Sequence, residues 1–310
     1  MKIAFSHSIV VLIGLICAAQ AATQKATLPS KKPPAEKESY STADFLRVVD
    51  KSKELATRYG NDEVLVVFDI DNTLLAMNQD LGSDQWFNWQ SQLMKDEPDS
   101  PDLVADDFAG LLEVQGTLFA LSKMHPPEPK LPDHIAAIQK LDVTTVVLTS
   151  RGFAYRDAAE RELNRNGYDL ASSALRIQEQ RGLFMPFDPE QPDAHGLSPE
   201  IIEGIQGRLG PVTYSNGIYM TAGQHKGYML RTLLARAKTK KQFKAILFVD
   251  DHEKHTIRMH AAYEDSPVHL VTFHYTREAG NASNFHASQK NHVIEDWRRL
   301  EDFVDSVLVK

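Results

Sequence analysis

Four short runs of β-branched and other apolar residues, separated by helical patterns, constrain the fold of this chain more than any other feature. The runs cover residues 64–68, 143–148, 245–249 and 268–273. Helical patterns cover residues 133–140, 153–166, 228–238 and 297–308. Strands that alternate with helices favour a parallel sheet with right-handed crossovers. The sequence therefore predicts an α/β fold.

Polar residues follow three of these runs at the point where each predicted strand ends. The groups are Asp69-Ile70-Asp71-Asn72-Thr73, Thr149-Ser150-Arg151-Gly152 and Asp250-Asp251. Ligands of parallel sheets bind at the carboxyl ends of the strands, so we expect these groups to meet in one site. Carboxylate oxygens from the first and third groups suit Mg²⁺.

Two further side chains complete the predicted site. Lys226 lies at the start of a predicted helix, where its ammonium would attract a phosphate, and Thr149 would donate its hydroxyl. Other interpretations stay open at this stage. The acidic pairs are also typical of turns and helix N-caps, and Lys254 is an alternative to Lys226.

The run from Val66 to Leu74, with the pattern hhhDxDNTL, resembles the first motif of the haloacid dehalogenase (HAD) superfamily, whose members are mostly Mg²⁺-dependent phosphatases. The other groups arrive in the family's order, and the resemblance covers about residues 41–310. It implies an α/β, Rossmannoid three-layer sandwich with a parallel sheet and a small, mainly helical cap. The chain looks closest to an uncharacterised bacterial branch of exported HAD-like proteins.

The resemblance also implies a role for each residue of the motifs. Asp69 would be the nucleophile and a metal ligand. Asp71 would be the general acid and base, and its backbone carbonyl would bind the metal. Thr149, or alternatively Ser150, and Lys226 would hold the phosphoryl oxygens. The remaining metal ligand would be Asp250 in preference to Asp251.

These roles predict a Mg²⁺-dependent hydrolase of small phosphomonoesters that works through an aspartyl-phosphate. Two alternatives stay open: a phosphotransferase, and a HAD-fold envelope protein that binds metal or phosphate without turnover. A formal charge of −8 argues against a nucleic-acid partner, because such binding depends on clustered Lys and Arg.

Two stretches are longer than a crossover requires. Residues 76–131 contain a helical pattern and Trp86-Phe87-Asn88-Trp89, and we interpret them as the cap insertion with these aromatics in its core. Residues 178–222 are interpreted as a second insertion that ends in a hairpin around Asn216-Gly217. For the third strand of the central sheet, the candidate is residues 175–177.

The amino terminus has the features of a signal peptide over residues 1–21: a charged start, an apolar run of eleven residues and a small-x-small end. The alternatives are an uncleaved anchor and lipid attachment at Cys17. Residues 22–40 are rich in Lys, Pro and Ala and are interpreted as a disordered leader. An exported protein, periplasmic or secreted and without stable membrane insertion after cleavage, is expected.

Three smaller predictions concern the edges of the site and of the fold. Arg151 is expected to pair with Asp157 or Glu160 at the surface, and a contact with the phosphate is the alternative. The histidines at 252 and 255 are expected to support the acidic pair or lie at the surface, because His-x-x-His is not the HExxH zinc pattern. Ser41 or Thr42 is predicted to cap a first helix that ends at Gly60.

Overall fold

The computed structural model describes residues 36–178, 182–195, 197–198, 201–202, 205, 209–238 and 242–307. The predicted signal peptide and most of the predicted leader lie outside the described residues. None of the described helices is both long enough and apolar enough to cross a membrane.

Within the described residues, one sheet of eight strands organises the molecule. Its strands are β1 Lys37–Thr42, β2 Val64–Phe68, β5 Thr144–Thr149, β6 Leu183–Phe184, β7 Val212–Ser215, β8 Ile218–Met220, β9 Ala245–Asp250 and β10 His269–Tyr275. Their order in the sheet is β1-β10-β9-β2-β5-β8-β7-β6, and every neighbouring pair from β1 to β8 in this order is parallel. The predicted α/β class with a mostly parallel sheet is confirmed.

The central strands are continuous apolar runs because both faces of the sheet are covered. Val64, Val66 and Phe68 of β2 pack into one core, and Leu65 and Val67 pack into a second core on the opposite face. The helices whose bounds fall within the described residues are α1 Leu46–Tyr59, α2 Asp84–Asp96, α3 Phe108–Leu121, α4 Leu131–Gln139, α5 Arg156–Arg165, α6 Lys226–Ala235, α7 Glu253–Ala262, α8 Ala279–Ala287 and α9 Asn291–Val307. Helices α1, α4 and α5 contribute side chains to the first core, and helices α6 and α7 contribute side chains to the second.

The strand beside β5 is not the one that the sequence indicated. Residues 175–177 form no strand of the sheet. Instead β8, the second strand of the predicted hairpin, pairs with β5 in parallel. The hairpin is confirmed, with Asn216 and Gly217 both at positive φ, as its tight turn requires. Residues 212–220 therefore belong to the central sheet, and the predicted second insertion of 178–222 extends too far.

The folded region begins earlier than predicted. Strand β1 starts at Lys37 and pairs with β10, so the boundary placed at residue 41 is wrong by several residues. Lys37 Nζ donates to the backbone carbonyls of Tyr263, Ser266 and Val268, which anchors this edge strand. Helix α1 ends at Gly60 as predicted, but neither Ser41 nor Thr42 is its N-cap.

Glu38 of β1 ties the edge strand to helix α1 and to β10. Its carboxylate accepts hydrogen bonds from Tyr40 and Lys51 and lies 2.6 Å from His269 Nε2. Burial opposes ionisation, but these hydrogen bonds outweigh it and lower the pKa of Glu38 to about 2. Since the folded-state pKa lies below the ordinary value of 4.5, ionised Glu38 stabilises the fold above about pH 4.5.

We expect Glu38→Gln to destabilise the protein by about 1 kcal/mol at pH 6 and by less at pH 3. The stabilisation by Glu38 is lost as the pH falls towards 2, so the two proteins converge in acid. Urea denaturation at both pH values measures the difference. Glu54→Gln is the matched control, because Glu54 also contacts Lys51 but is exposed. A gap that stays constant between the two pH values would contradict the expectation.

Between β2 and α4 the chain forms a helical region that falls within the predicted cap insertion of residues 76–131. Strands β3 Ala76–Met77 and β4 Met124–His125 pair as an antiparallel ribbon at its base, and helices α2 and α3 lie between them in sequence. Trp86 is fully buried, as expected of a core residue. The apolar core around Trp86, however, also includes Phe285 of α8 and Val293 of α9.

Candidate active site

The carboxyl ends of three neighbouring strands carry the predicted site. Strand β2 lies between β5 and β9, so the residues that follow these strands share one edge of the sheet. The backbone N–H of Asp69 donates to the carbonyl of Val249 at 3.0 Å, which extends the pairing of β2 with β9 into the site. Asp69 therefore stands beside Asp250, the last residue of β9.

Lys226 joins two buried carboxylates. Its Nζ lies 2.6 Å from Asp69 Oδ1 and 2.6 Å from Asp250 Oδ2, and all three side chains are buried. Lys226 is the first residue of α6, whose amino end points to the strand ends. Lys254, the alternative, is exposed. The structure thus brings together three of the residues that the sequence selected, from three separate stretches of chain.

Asp250 and Asp251 differ in what their oxygens contact. Both oxygens of Asp250 are engaged, by Lys226, by His255 Nδ1 at 2.9 Å and by the backbone N–H of His252. Asp251 Oδ2 accepts a hydrogen bond from the Asn72 side chain at 3.3 Å. Asp251 Oδ1 is buried and has no partner among the described residues. The oxygen that is free for a ligand therefore belongs to Asp251, whereas the sequence favoured Asp250.

The pKa values of three carboxyl groups in the site differ strongly from their usual values. Burial, together with Asp250 and Asp71 and against the opposing charge of Lys226, raises the pKa of Asp69 to about 7. Burial and nearby acidic groups also raise the pKa of Asp251 well above its usual range. Burial acts the same way on Asp250, but Lys226 and His255 outweigh it and hold its pKa below the usual range. Opposite shifts on neighbouring acids are typical of functional sites.

The donor set fits a hard divalent cation. Carboxylate oxygens of Asp69, Asp250 and Asp251 lie within 4.8 Å of one another, and all are oxygen donors, as Mg²⁺ prefers. The unpartnered Oδ1 of Asp251 supports this fit, because a buried carboxylate oxygen without a partner is costly. The carboxylate of Asp71 is not in this group, and the expected contribution of its backbone carbonyl stays a prediction.

Arg151 is buried and paired with Asp71, so the prediction of a surface pair with Asp157 or Glu160 is wrong. Its Nη2 lies 2.7 Å from Asp71 Oδ1 and its Nε 3.1 Å from Asp71 Oδ2, a bidentate pair. The guanidinium also lies 4.0 Å from the centre of the Phe119 ring of α3. Arg151 Nη1 is buried and has no partner among the described residues. The geometry therefore fixes both oxygens of Asp71 and leaves one guanidinium nitrogen available.

Thr149 ends strand β5 and is fully buried, whereas Ser150 is exposed. The Thr149 hydroxyl accepts a hydrogen bond from the backbone N–H of Arg151 at 3.1 Å. Within the described part of the chain, no hydrogen bond joins this hydroxyl to the carboxylates. Its proposed contact with a phosphoryl group stays a prediction, and burial favours Thr149 over Ser150.

Two histidines support the acidic groups, as the sequence analysis expected. His255 contacts Asp250, and His252 Nε2 lies 3.0 Å from Asp84 Oδ2. Asp84 is the first residue of α2, so this contact joins the helical region of residues 76–131 to the end of β9. Burial lowers the pKa of His252, but Asp84 and Asp251 outweigh it and raise it to about 9.

A family model described as "Protein of unknown function (DUF2608)" matches residues 47–307, which is most of the chain. The chain belongs to the DUF2608 family. A search of curated proteins finds no match. The DUF2608 match includes every residue of the site, from Asp69 to Asp251, together with the helical region and the C-terminal helices. Its description carries no activity, so the chemistry of the site rests on the geometry.

Two residues of this DUF2608 site were not assigned to it from the sequence: Arg151 was placed at the surface, and Asp84 was not considered. Arg151 is the second residue after the end of β5, and that position was a signal for it. Asp84 lies outside every motif, and it reaches the site only because the fold places the start of α2 beside His252. No local pattern could have identified it.

Proposed function

We propose that the chain is a Mg²⁺-dependent phosphomonoesterase with a HAD-like three-layer fold and that residues 76–131 are its cap. The observation that carries the proposal is the buried Lys226, which contacts Asp69 and Asp250 while the unpartnered oxygen of Asp251 lies beside them. Such a group provides a carboxylate nucleophile, a fixed positive charge and a cation site at one strand edge. Transfer of a phosphoryl group requires this combination of positioning and charge.

Asp69 is the proposed nucleophile. Its carboxylate stands directly after β2 and is oriented by Lys226 at 2.6 Å. In the first step an Asp69 oxygen forms a bond to phosphorus while the bond between phosphorus and the alcohol oxygen breaks. Asp71 donates a proton to that oxygen, so the product leaves as a neutral alcohol.

In the second step water attacks the phosphorus of the aspartyl-phosphate. Asp71 accepts a proton from this water, and the bond between phosphorus and Asp69 breaks to release inorganic phosphate. Arg151 orients the carboxylate of Asp71 by its bidentate pair, which is the arrangement that the proton acceptor of this second step requires. Thr149 would hold a phosphoryl oxygen.

Asp69, Asp250 and Asp251 would hold the Mg²⁺. The cation supplies positive charge that lets the phosphoryl group approach a cluster of carboxylates. The density of carboxyl groups supports its presence. Among the described residues, Asp69, Asp71, Asp84, Asp250 and Asp251 lie around Lys226, Arg151, His252 and His255.

The cap proposal rests on contacts between residues 76–131 and the site. Asp84 contacts His252, Phe119 covers the guanidinium of Arg151, and Met124 Sδ accepts a hydrogen bond from Arg151 Nη2. A cap so placed would exclude water and contact the leaving group. Export to the periplasm or the medium, based on residues 1–21, remains part of the proposal.

We expect the purified protein to hydrolyse small phosphomonoesters with Mg²⁺ and to lose at least about 100-fold in kcat when EDTA is added. Restoring Mg²⁺ should restore turnover. Release of inorganic phosphate from an ester panel, with and without EDTA, is the measurement. Hydrolysis that is unaffected by EDTA would refute the metal mechanism.

Two further outcomes separate the alternatives. Transfer of the phosphoryl group to added glycerol, with little free phosphate, would identify a phosphotransferase. Binding of Mg²⁺ by calorimetry without turnover of any ester would favour the non-catalytic binding protein.

A further inference from the structure

A polar cleft of about 460 Å³ shares Asn72 with the surroundings of the carboxylate group. One wall is the β3–β4 ribbon, with Ala76, Met77 and His125, and the opposite wall is α8 and the start of α9. Its volume lies in the range of small-molecule sites. None of the groups that we assign to the chemistry lines it, so the cleft is distinct from the catalytic centre.

Two lining residues connect the cleft to that centre. Asn72 lines the cleft, follows Asp71 directly in sequence, and donates its side-chain hydrogen bond to Asp251. Gln85 lines it too and follows Asp84, the residue that contacts His252. The cleft and the carboxylate group are therefore joined through Asn72 and through the start of α2.

The lining has the chemistry of a site for hydroxyl groups. Amide side chains are its commonest polar groups: Asn72, Asn78, Gln79, Gln85, Asn281 and Asn284. An amide both donates and accepts hydrogen bonds, as a hydroxyl does. The side-chain amides of Gln85 and Asn284 have no partner among the described residues, so they are free to bind a ligand.

The charges of the lining disfavour anionic leaving groups. Asp80 and Glu278 line the cleft, and no Lys or Arg does so among the described residues; His292, which also lines it, contacts Asp80. An anionic leaving group, such as a second phosphate or a carboxylate, would be repelled by the two carboxylates. A long alkyl chain would find little apolar surface, because the apolar lining consists of Ala76, Met77 and the almost fully buried Phe285.

We propose that this cleft binds the leaving group of the substrate and that the leaving group is an uncharged polyhydroxylated alcohol, such as a sugar or a sugar alcohol. This inference rests on the proposed phosphomonoesterase function and specifies its substrate class. Asn72 borders both the cleft and the carboxylate group, so the phosphoryl group and the alcohol of one substrate occupy adjoining spaces.

The test compares sorbitol 6-phosphate with hexyl phosphate, which has the same six-carbon chain without the extra hydroxyl groups. We expect kcat/KM to be about 10- to 100-fold higher for sorbitol 6-phosphate, because two or three additional hydrogen bonds contribute in the cleft. A carboxylated ester, 3-phosphoglycerate, should be the poorest of the three. Equal efficiency for sorbitol and hexyl phosphates would overturn the inference.

Variants assign the preference to the cleft. Gln85→Leu and Asn284→Leu should each lower the ratio of the two efficiencies by about fivefold to tenfold, mainly through KM. Gln92→Leu is the matched control for Gln85→Leu, because both residues lie on α2. Gln92 is exposed, contacts Asp96 and does not line the cleft. A ratio that stays unchanged in both cleft variants would also overturn the inference.

Failure of the proposed function gives a different result. If the wild-type protein hydrolyses none of the three esters, the catalytic proposal fails, and calorimetry then tests the cleft directly. Tighter binding of sorbitol 6-phosphate than of hexyl phosphate, weakened by Asn284→Leu, supports the cleft as a polyol site. Equal binding of the two esters overturns it.

Discussion

Asp69→Asn is expected to lower kcat for phosphomonoesters by at least about 10⁴-fold and to leave the protein folded. The amide cannot form the acyl-phosphate bond, although it keeps the size and much of the hydrogen bonding of the carboxyl group. Burial, together with the charges of Asp250 and Asp71, raises the pKa of Asp69 to about 7, so a neutral side chain at this position removes a buried charge and relieves repulsion. Initial rates, circular dichroism and a thermal melt measure the three effects.

Asp305→Asn is the matched control, since Asp305 is exposed on α9 and makes no contact with the site. It should retain wild-type kcat. Mass spectrometry of acid-quenched wild-type protein should find a phosphoryl group on Asp69, and the Asn variant should carry none. Activity that survives Asp69→Asn would eliminate the aspartyl-phosphate mechanism, whatever the metal dependence.

The second large effect concerns stability. Lys226→Met is expected to lower the free energy of unfolding by about 3–5 kcal/mol in the presence of EDTA. Lys226 is buried between Asp69 and Asp250, so its removal leaves two buried carboxylates without their cation. Urea denaturation measures the change, and activity should fall with it because the phosphoryl group loses a fixed positive charge.

Two variants test whether the loss of stability comes from the buried pairing of Lys226 or would follow from the removal of any lysine. Lys254→Met, on the neighbouring helix α7, removes an exposed lysine and should change stability by less than about 0.5 kcal/mol. Lys226→Met combined with Asp250→Asn should recover part of the lost stability, because one of the stranded charges is removed. If the double variant is less stable than Lys226→Met, the pairing of Lys226 with Asp250 does not explain the loss.

Local patterns predicted the central strands well because each of these strands is a continuous apolar run. Such a run is fully buried only in a sheet that is covered on both faces. Residues 64–68 coincide with β2, and the other three runs match their strands to within two residues at each end. The same patterns placed Asp69, Asp250 and Asp251 together, since parallel strands that are neighbours in the sheet deliver their ends to one edge.

The errors arose where a long-range contact decides the structure. Residues 175–177 were as apolar as a short strand, but the place beside β5 went to β8, which the hairpin turn at Asn216 brings into the sheet. Strand β1 begins within the Lys-rich stretch because Lys37 and Glu38 find partners far along the chain. The burial of Arg151 likewise depends on Phe119, a residue of the helical region.

The core around Trp86 has a consequence for how the site opens. This core is shared by the region of residues 76–131 and by α8 and α9, through Phe285 and Val293. Two pieces of chain that are far apart in sequence therefore form one packed body. In the proposed phosphatase, a movement of residues 76–131 that admits substrate to Asp69 would either carry the C-terminal helices along or split this apolar interface, so access to the site would depend on α8 and α9 as well as on the proposed cap.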